Sequence, residues 1–326
     1  MFSSELWYNP GGSSVILTQK AIFFGGFTPS GYNSVTGLTN LVSDSGVVAA
    51  DTAAVGTARK ALAGTGYGED KAIFAFGQLA DGNTTALSNL VSNSGVVASD
   101  TTGVGTTRQG GGAAAYGGDK AIFAFGATSS SAGDNTAISN LVSNSGVVAT
   151  DTAGVGTARY NLAAAAYGGD KAIFGFGLSG GGNTFSSLTN LVSNEGVVAS
   201  DTAGVGTAVF LLAASGYGED KAIFGFGLIT PGNANTAKTN LVSNEGVVAS
   251  DTSGVGSART FLAGAVYGGD KAIFGYGRTA TSGASGVSIS NLVSNSGVVA
   301  TDTSGVGTLN AIPVNFPFLG AAGYAN

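Results

Sequence analysis

The tetrapeptide Lys-Ala-Ile-Phe occurs six times, with its lysine at 20, 71, 120, 171, 221 and 271. The spacings are 51, 49, 51, 50 and 50 residues, so six copies of one unit fill the 326-residue chain. A unit of this length cannot bury its own apolar faces, and such sequences fold by packing each copy against its neighbours. The fourth copy reads Asn161 to Tyr167, Gly168-Gly169-Asp170 and Lys171 to Gly177, followed by a loop whose length differs between copies. It continues with Ser187 to Ser193, Asn194-Glu195-Gly196 and Val197 to Asp201, and ends in a Gly-Val-Gly segment.

Each unit thus holds four short β-prone runs, here A to D, separated by Gly, Asn and Asp. None keeps an i, i+3, i+4, i+7 apolar pattern for three turns, so helices are not expected. The fold expected is all-β: a six-bladed β-propeller of four-stranded antiparallel blades over residues 15–326, with an N-terminal arm at 1–14. Run A, made of Ala and Gly, suits the innermost position, where sheets converge on an axis and only small side chains fit. In run B, Phe174 and Phe176 are expected on one face, with Ile173 and Gly175 on the other. The first copy begins at run B, and Phe318 to Tyr324 matches Phe261 to Tyr267 of run A in the sixth copy. The C-terminal segment is therefore expected to supply strand A of the first blade; Gly11 to Ile16 is the alternative.

Arg159, Tyr167, Gly168 and the apolar run Lys171 to Phe174, with Gly25-Gly26 in the first copy, give the unit the spacing of a kelch repeat. Over roughly residues 15–326 the chain resembles kelch-type β-propellers, although Val192 and Val197 stand where that family carries Tyr and Trp. The wording Asn-Leu-Val-Ser-Asn, Gly-Val-Val and Gly-Val-Gly-Thr-Ala-Arg is similar to repeats in structural proteins of marine bacteriophages, particularly cyanophages. This likeness implies a virion component of tail-fibre type, with other virion proteins as partners. The alternative location is extracellular, as a secreted bacterial lectin.

The chain has no Cys and no His, which removes disulfides, thiol nucleophiles, imidazole bases and His- or Cys-ligated metals. Thirteen Lys and Arg against 19 Asp and Glu give a net charge of −6, and no basic cluster is present, so nucleic acid is not an expected partner. No stretch of about 20 residues is apolar enough to cross a bilayer, so membrane insertion is not expected. No secretory signal is evident in residues 1–9.

Variation between copies is confined. The A-B turn stays Gly-Gly-Asp or Gly-Glu-Asp, and the C-D turn stays close to Ser-Asn-Ser-Gly. The B-C loops and D-A connections differ, and an up-and-down blade places both on the opposite end from the constant turns. Recognition usually sits on loops carried by a rigid scaffold, so the variable face is the expected binding face. Its unrepeated aromatics, Phe27, Tyr32, Tyr160, Phe185, Phe210 and Phe261, are the candidate ligand-binding residues, and Trp7 and Tyr8 are the candidate partner-docking residues.

The aspartates Asp51, Asp100, Asp151, Asp201, Asp251 and Asp302 recur in every unit. They are expected to cap their own turns by accepting a backbone N–H two residues on, and no Asp-x-Asp-x-Asp loop suggests calcium. Only Asp81 and Asp134 lie in variable loops, where a glycosidase pair would need them about 5 to 9.5 Å apart. The expectation is a non-enzymatic structural or binding module without cofactor or metal, with a host glycan or protein receptor as ligand and self-association possible. A carboxylate-dependent glycan hydrolase is the competing enzymatic reading.

Overall fold

The structure, a computed structural model, describes residues 19–26, 35–131, 133–181, 184–280, 286–306 and 319–325. The expected arm at 1–14 and the alternative strand at 11–16 lie outside these. The described residues are all-β without helices, and each unit contributes one antiparallel sheet of three strands. In the fourth unit the strands are Ala163–Tyr167, Lys171–Gly175 and Thr189–Val192, with the lysine strand in the middle. The first unit obtains its first strand from the far end of the chain. There, Gly320–Ala325 pairs along Gln19–Phe24 with Ile22 opposite Ala322.

Run D does not form a fourth strand of the expected kind. It touches the third strand through two isolated bridges, Val198 opposite Val192 and Thr202 opposite Thr189. Four residue steps on one side therefore face three on the other, and the extra residue breaks the ladder as a bulge does. The side chain of Asn190 spans the gap, donating from Nδ2 to the Ala199 carbonyl at 3.0 Å and to Asp201 Oδ1 at 2.9 Å.

The hairpin between the first two strands turns on Gly168 (φ +63°) and Gly169 (φ +79°), the left-handed pair that a two-residue turn requires. A Cβ on Gly168 would lie 2.9 Å from the Asn244 carbonyl oxygen of the next unit, whereas one on Gly169 would meet nothing within 4 Å. The Ala and Gly of the first strands have a similar cause. First strands of successive sheets are neighbours, and a Cβ on Gly264 would lie 2.7 Å from the Ala214 carbonyl oxygen.

Six apolar clusters lie between successive sheets, one of them joining the sixth unit to the first. The alternation expected in run B fails at its end. Phe176 has φ +66°, which turns its ring to the face of Ile173, against Phe224 of the fifth unit. Phe174 packs on the other side, 5.5 Å from Phe125 of the third unit. Phe76, Phe125, Phe226 and Tyr276 share this left-handed conformation. In the first unit Gly25 adopts it instead, and the aromatic contact to the second unit comes from Phe24, 5.1 Å from Phe74.

The recurring aspartates clamp neighbouring units rather than capping their own turns. Asp201 accepts from the backbone N–H and the hydroxyl of Thr157, at 2.9 and 2.6 Å, in the preceding unit. Arg159 donates to it at 3.3 Å and to Asn190 Oδ1 at 2.6 Å, while its guanidinium lies over Phe125. Arg59, Arg108, Arg159 and Arg259 are all buried and lie over the Phe ring of the preceding sheet. Burial pushes the Arg59, Arg108 and Arg259 guanidinium groups down to about 10, so they keep their charge at neutral pH. Gly156 (φ +84°) makes room for the clamp, because a Cβ there would lie 2.5 Å from Asp201 Oδ1.

Candidate binding face

The two ends of the sheets differ as the sequence variation suggests. At one end the constant turns interlock: Asn144 donates to Asp119 of its own unit at 3.0 Å, and the Gly117 N–H donates to the Asp170 carbonyl of the next at 2.7 Å. At the other end the D-A connections pair with the B-C loops, as Tyr160 does with Leu178 and Lys60 with Gln78.

Of the six candidate ligand-binding aromatics, the structure brings three into one region. Thr184–Phe185 pairs with Leu178–Ser179, which places Phe185 opposite Leu178, and Leu178 is bridged in turn to Tyr160. Phe210 lies in Val209–Phe210, paired with Leu228–Ile229, and its ring meets Phe185 edge to face at 4.7 Å. Tyr160, Phe185 and Phe210 are all half-buried, leaving part of each ring to solvent. Burial raises the Tyr160 phenol above its ordinary value, so it stays a neutral hydrogen-bonding group. Rings fixed on paired backbone, with an apolar body and one polar tip, suit stacking against sugar or peptide surfaces.

Phe261 does not belong to this surface. It is 6% exposed and lines an apolar dimple with Leu62, Leu162, Leu212, Leu262 and Leu319, where the first strands begin. Its φ of +58° and its N–H bond to the Leu211 carbonyl draw it inward. That bond extends a backbone chain from Ala61 through Gly110, Asn161 and Leu211. Phe27, Tyr32, Trp7 and Tyr8 lie outside the described residues.

The unit boundary beside Phe210 breaks the repeat in a second way: the loss of the arginine at Val209 is visible in the sequence, but that a lysine replaces it is not. Val209 stands where four other boundaries have the buried arginine, and Lys238 from the variable loop takes over the aspartate. Its Nζ donates to Asp251 Oδ2 at 2.9 Å and to the Thr207 hydroxyl at 3.0 Å. Although partial burial opposes ionisation, hydrogen bonds from Thr207, Lys238 and Asn240 hold the Asp251 carboxyl well below the usual range. The sequence signal was the coincidence of a lost arginine and a lysine ending the next variable loop.

The two loop carboxylates are engaged locally. Asp81 accepts from the Asn83 backbone and side chain at 2.9 and 2.8 Å, and Asp134 accepts from Ser129. Among the described residues no group of three or more acidic side chains is placed to hold a metal ion. No protein-family model matches the chain, and no curated protein matches it.

Proposed function

We propose that the chain is a closed six-bladed β-propeller acting as a non-enzymatic binding or structural module, a virion component that contacts a host glycan or protein receptor through its variable face. The ring reading is supported by the order of first strands. Ala63–Tyr67, Gly112–Tyr116, Ala163–Tyr167, Ala213–Tyr217, Ala263–Tyr267 and Gly320–Ala325 are successive neighbours, and the last adjoins the first. The observation that carries the functional reading is the Tyr160, Phe185 and Phe210 surface, whose Phe210 adjoins the boundary where the repeat departs from its pattern. The separate engagement of Asp81 and Asp134 within their own loops favours binding over carboxylate-pair hydrolysis. The virion assignment rests on the sequence resemblance alone.

The test is adsorption of multimerised protein to host cells, or to an array of bacterial surface glycans. Multimers are used because a shallow site displayed in several copies gains about 10² to 10⁴ in avidity. Changing Tyr160, Phe185 and Phe210 to Ala should reduce adsorption, while Asp119→Asn and Asn194→Ala on the constant turns leave it intact. Normal adsorption by the triple variant would sink the assignment of the face. Cleavage of glycans by the unmodified protein, abolished in Asp81→Asn with Asp134→Asn, would establish the hydrolase instead.

A further inference from the structure

The first strands enclose a cavity of about 260 Å³. Residues 64–67, near the ends of these strands, line it, while residues 61 and 62 line the apolar dimple at their starts. The cavity therefore opens toward the constant turns and lies apart from the aromatic face. Its wall is largely alanine methyl and glycine backbone, and its charged lining consists of Glu69, Lys71, Glu219 and Lys221.

These four residues come from the second and fifth units. Counted through neighbouring first strands, those units are three steps apart in either direction, so the two pairs face each other across the cavity. Lys71 is paired with Asp70, and Lys221 with Asp220 at 2.6 Å, within their own turns. Glu69 and Glu219 act on Lys71 and Lys221 through space, but among the described residues the salt bridges of those lysines go to Asp70 and Asp220. Each side of the mouth thus keeps one net negative charge.

The same turn position is Gly118, Gly169 and Gly269 in three other units. Glu69 and Glu219 hold φ of +68° and +70° there, a conformation that glycine adopts freely and glutamate does not. A Cβ at each of the three glycines would meet nothing within 4 Å, so the fold has room for a side chain but no packing use for one. Strained, exposed acids at two opposed positions of a six-fold repeat, both on one cavity, call for a ligand.

We propose that this cavity binds a linear aliphatic diammonium, each ammonium meeting one carboxylate and the alkyl chain lying against the alanine methyls. Two sources carry that chemistry: a free α,ω-diamine, and paired lysine side chains of a partner protein. Calorimetric titration of the full chain with diamines of four to eight carbons, n-hexylamine and a dilysine peptide amide separates them. Charge-assisted hydrogen bonds to a second ammonium should make the best dication about tenfold tighter than the monoamine. If that dication is a diamine, the source is a free diamine; if it is the peptide, the source is a partner chain.

Glu69→Gly with Glu219→Gly installs the residue other units carry, so it should erase the dication preference while leaving the melting temperature equal or higher. Glu69→Gln with Glu219→Gln keeps the side chains, removes only the charge, and should erase it too. Dications binding no tighter than n-hexylamine would overturn the proposal. So would a preference that survives either double variant.

Discussion

Changing Asp201 to Ala tests the inter-unit clamp, and the fifth unit supplies an internal control. Asp201 is the carboxylate partner of Arg159, whose side chain has no exposed area. Its removal leaves a buried guanidinium without a counter-charge, holding only its bond to Asn190 Oδ1, and leaves the Thr157 N–H and hydroxyl without their acceptor. Breaking a buried ion pair by deleting one partner costs about 3–5 kcal/mol. Asp251 accepts an equivalent set of bonds from Thr207 and Asn240, but its cation is Lys238, whose side chain is 41% exposed and can turn to solvent. Asp251→Ala should therefore cost only the hydrogen bonds, about 1–2 kcal/mol. The quantity to read is the difference, about 2–3 kcal/mol, from urea denaturation of both variants at pH 7 with the m-value unchanged. Equal losses would refute the reasoning, since they would show that arginine burial adds nothing to the clamp.

Gly156→Ala should cost at least about 2 kcal/mol, combining a left-handed φ with a Cβ 2.5 Å from Asp201 Oδ1, and thermal unfolding reads it. Lys238→Met should cost about 1 kcal/mol alone and nearly nothing beside Val209→Arg, because the arginine would reinstate the pairing of the other units; a double-mutant cycle measures the coupling. Partial burial opposes ionisation of Asp100, Asp151, Asp201, Asp251 and Asp302, but their hydrogen bonds prevail and hold all five below the ordinary value. A depressed folded-state pKa gives stability that is present above the unfolded value, near 3.9, and is lost as pH falls through the folded ones. Urea midpoints should therefore be level from about pH 7 to 5 and decline below about pH 4; a midpoint that rises on acidification would contradict the clamp.

The repeat made the all-β class and the unit boundaries legible, because turn glycines and β-prone runs are local signals. The pairing of residues 320–325 with the first unit was legible too, since that segment copies run A. Contacts across units were not. Asp201 reads as a turn residue until Thr157, 44 positions earlier, is placed against it. Likewise Lys238 reads as a loop residue until Val209 is seen to lack the arginine. The face of Phe176 was misjudged because period-two alternation assumes extended backbone throughout, and its positive φ lies one residue past the strand. Phe261 was placed among exposed aromatics because a variable position was equated with a surface one. Apart from Leu262, the leucines beside it belong to other units, a contact that reading one unit alone does not reveal.

Residues 320–325 supply the first unit with its first strand, and the absence of native cysteine makes a direct test of that pairing clean. Gln19 lies opposite Ala325 at the end of the paired segment. Directly opposed residues of antiparallel strands bring their Cβ atoms to about 4.5–5.5 Å, close enough for a disulfide after slight adjustment. Gln19→Cys with Ala325→Cys should therefore oxidise to a covalent circle. One proteolytic cut between the strands Lys120–Ala127 and Asn135–Val142 would then leave a single linear species of full mass, which reduction separates into two fragments. Free thiols under the same oxidation, or two fragments without reduction, would contradict the closure.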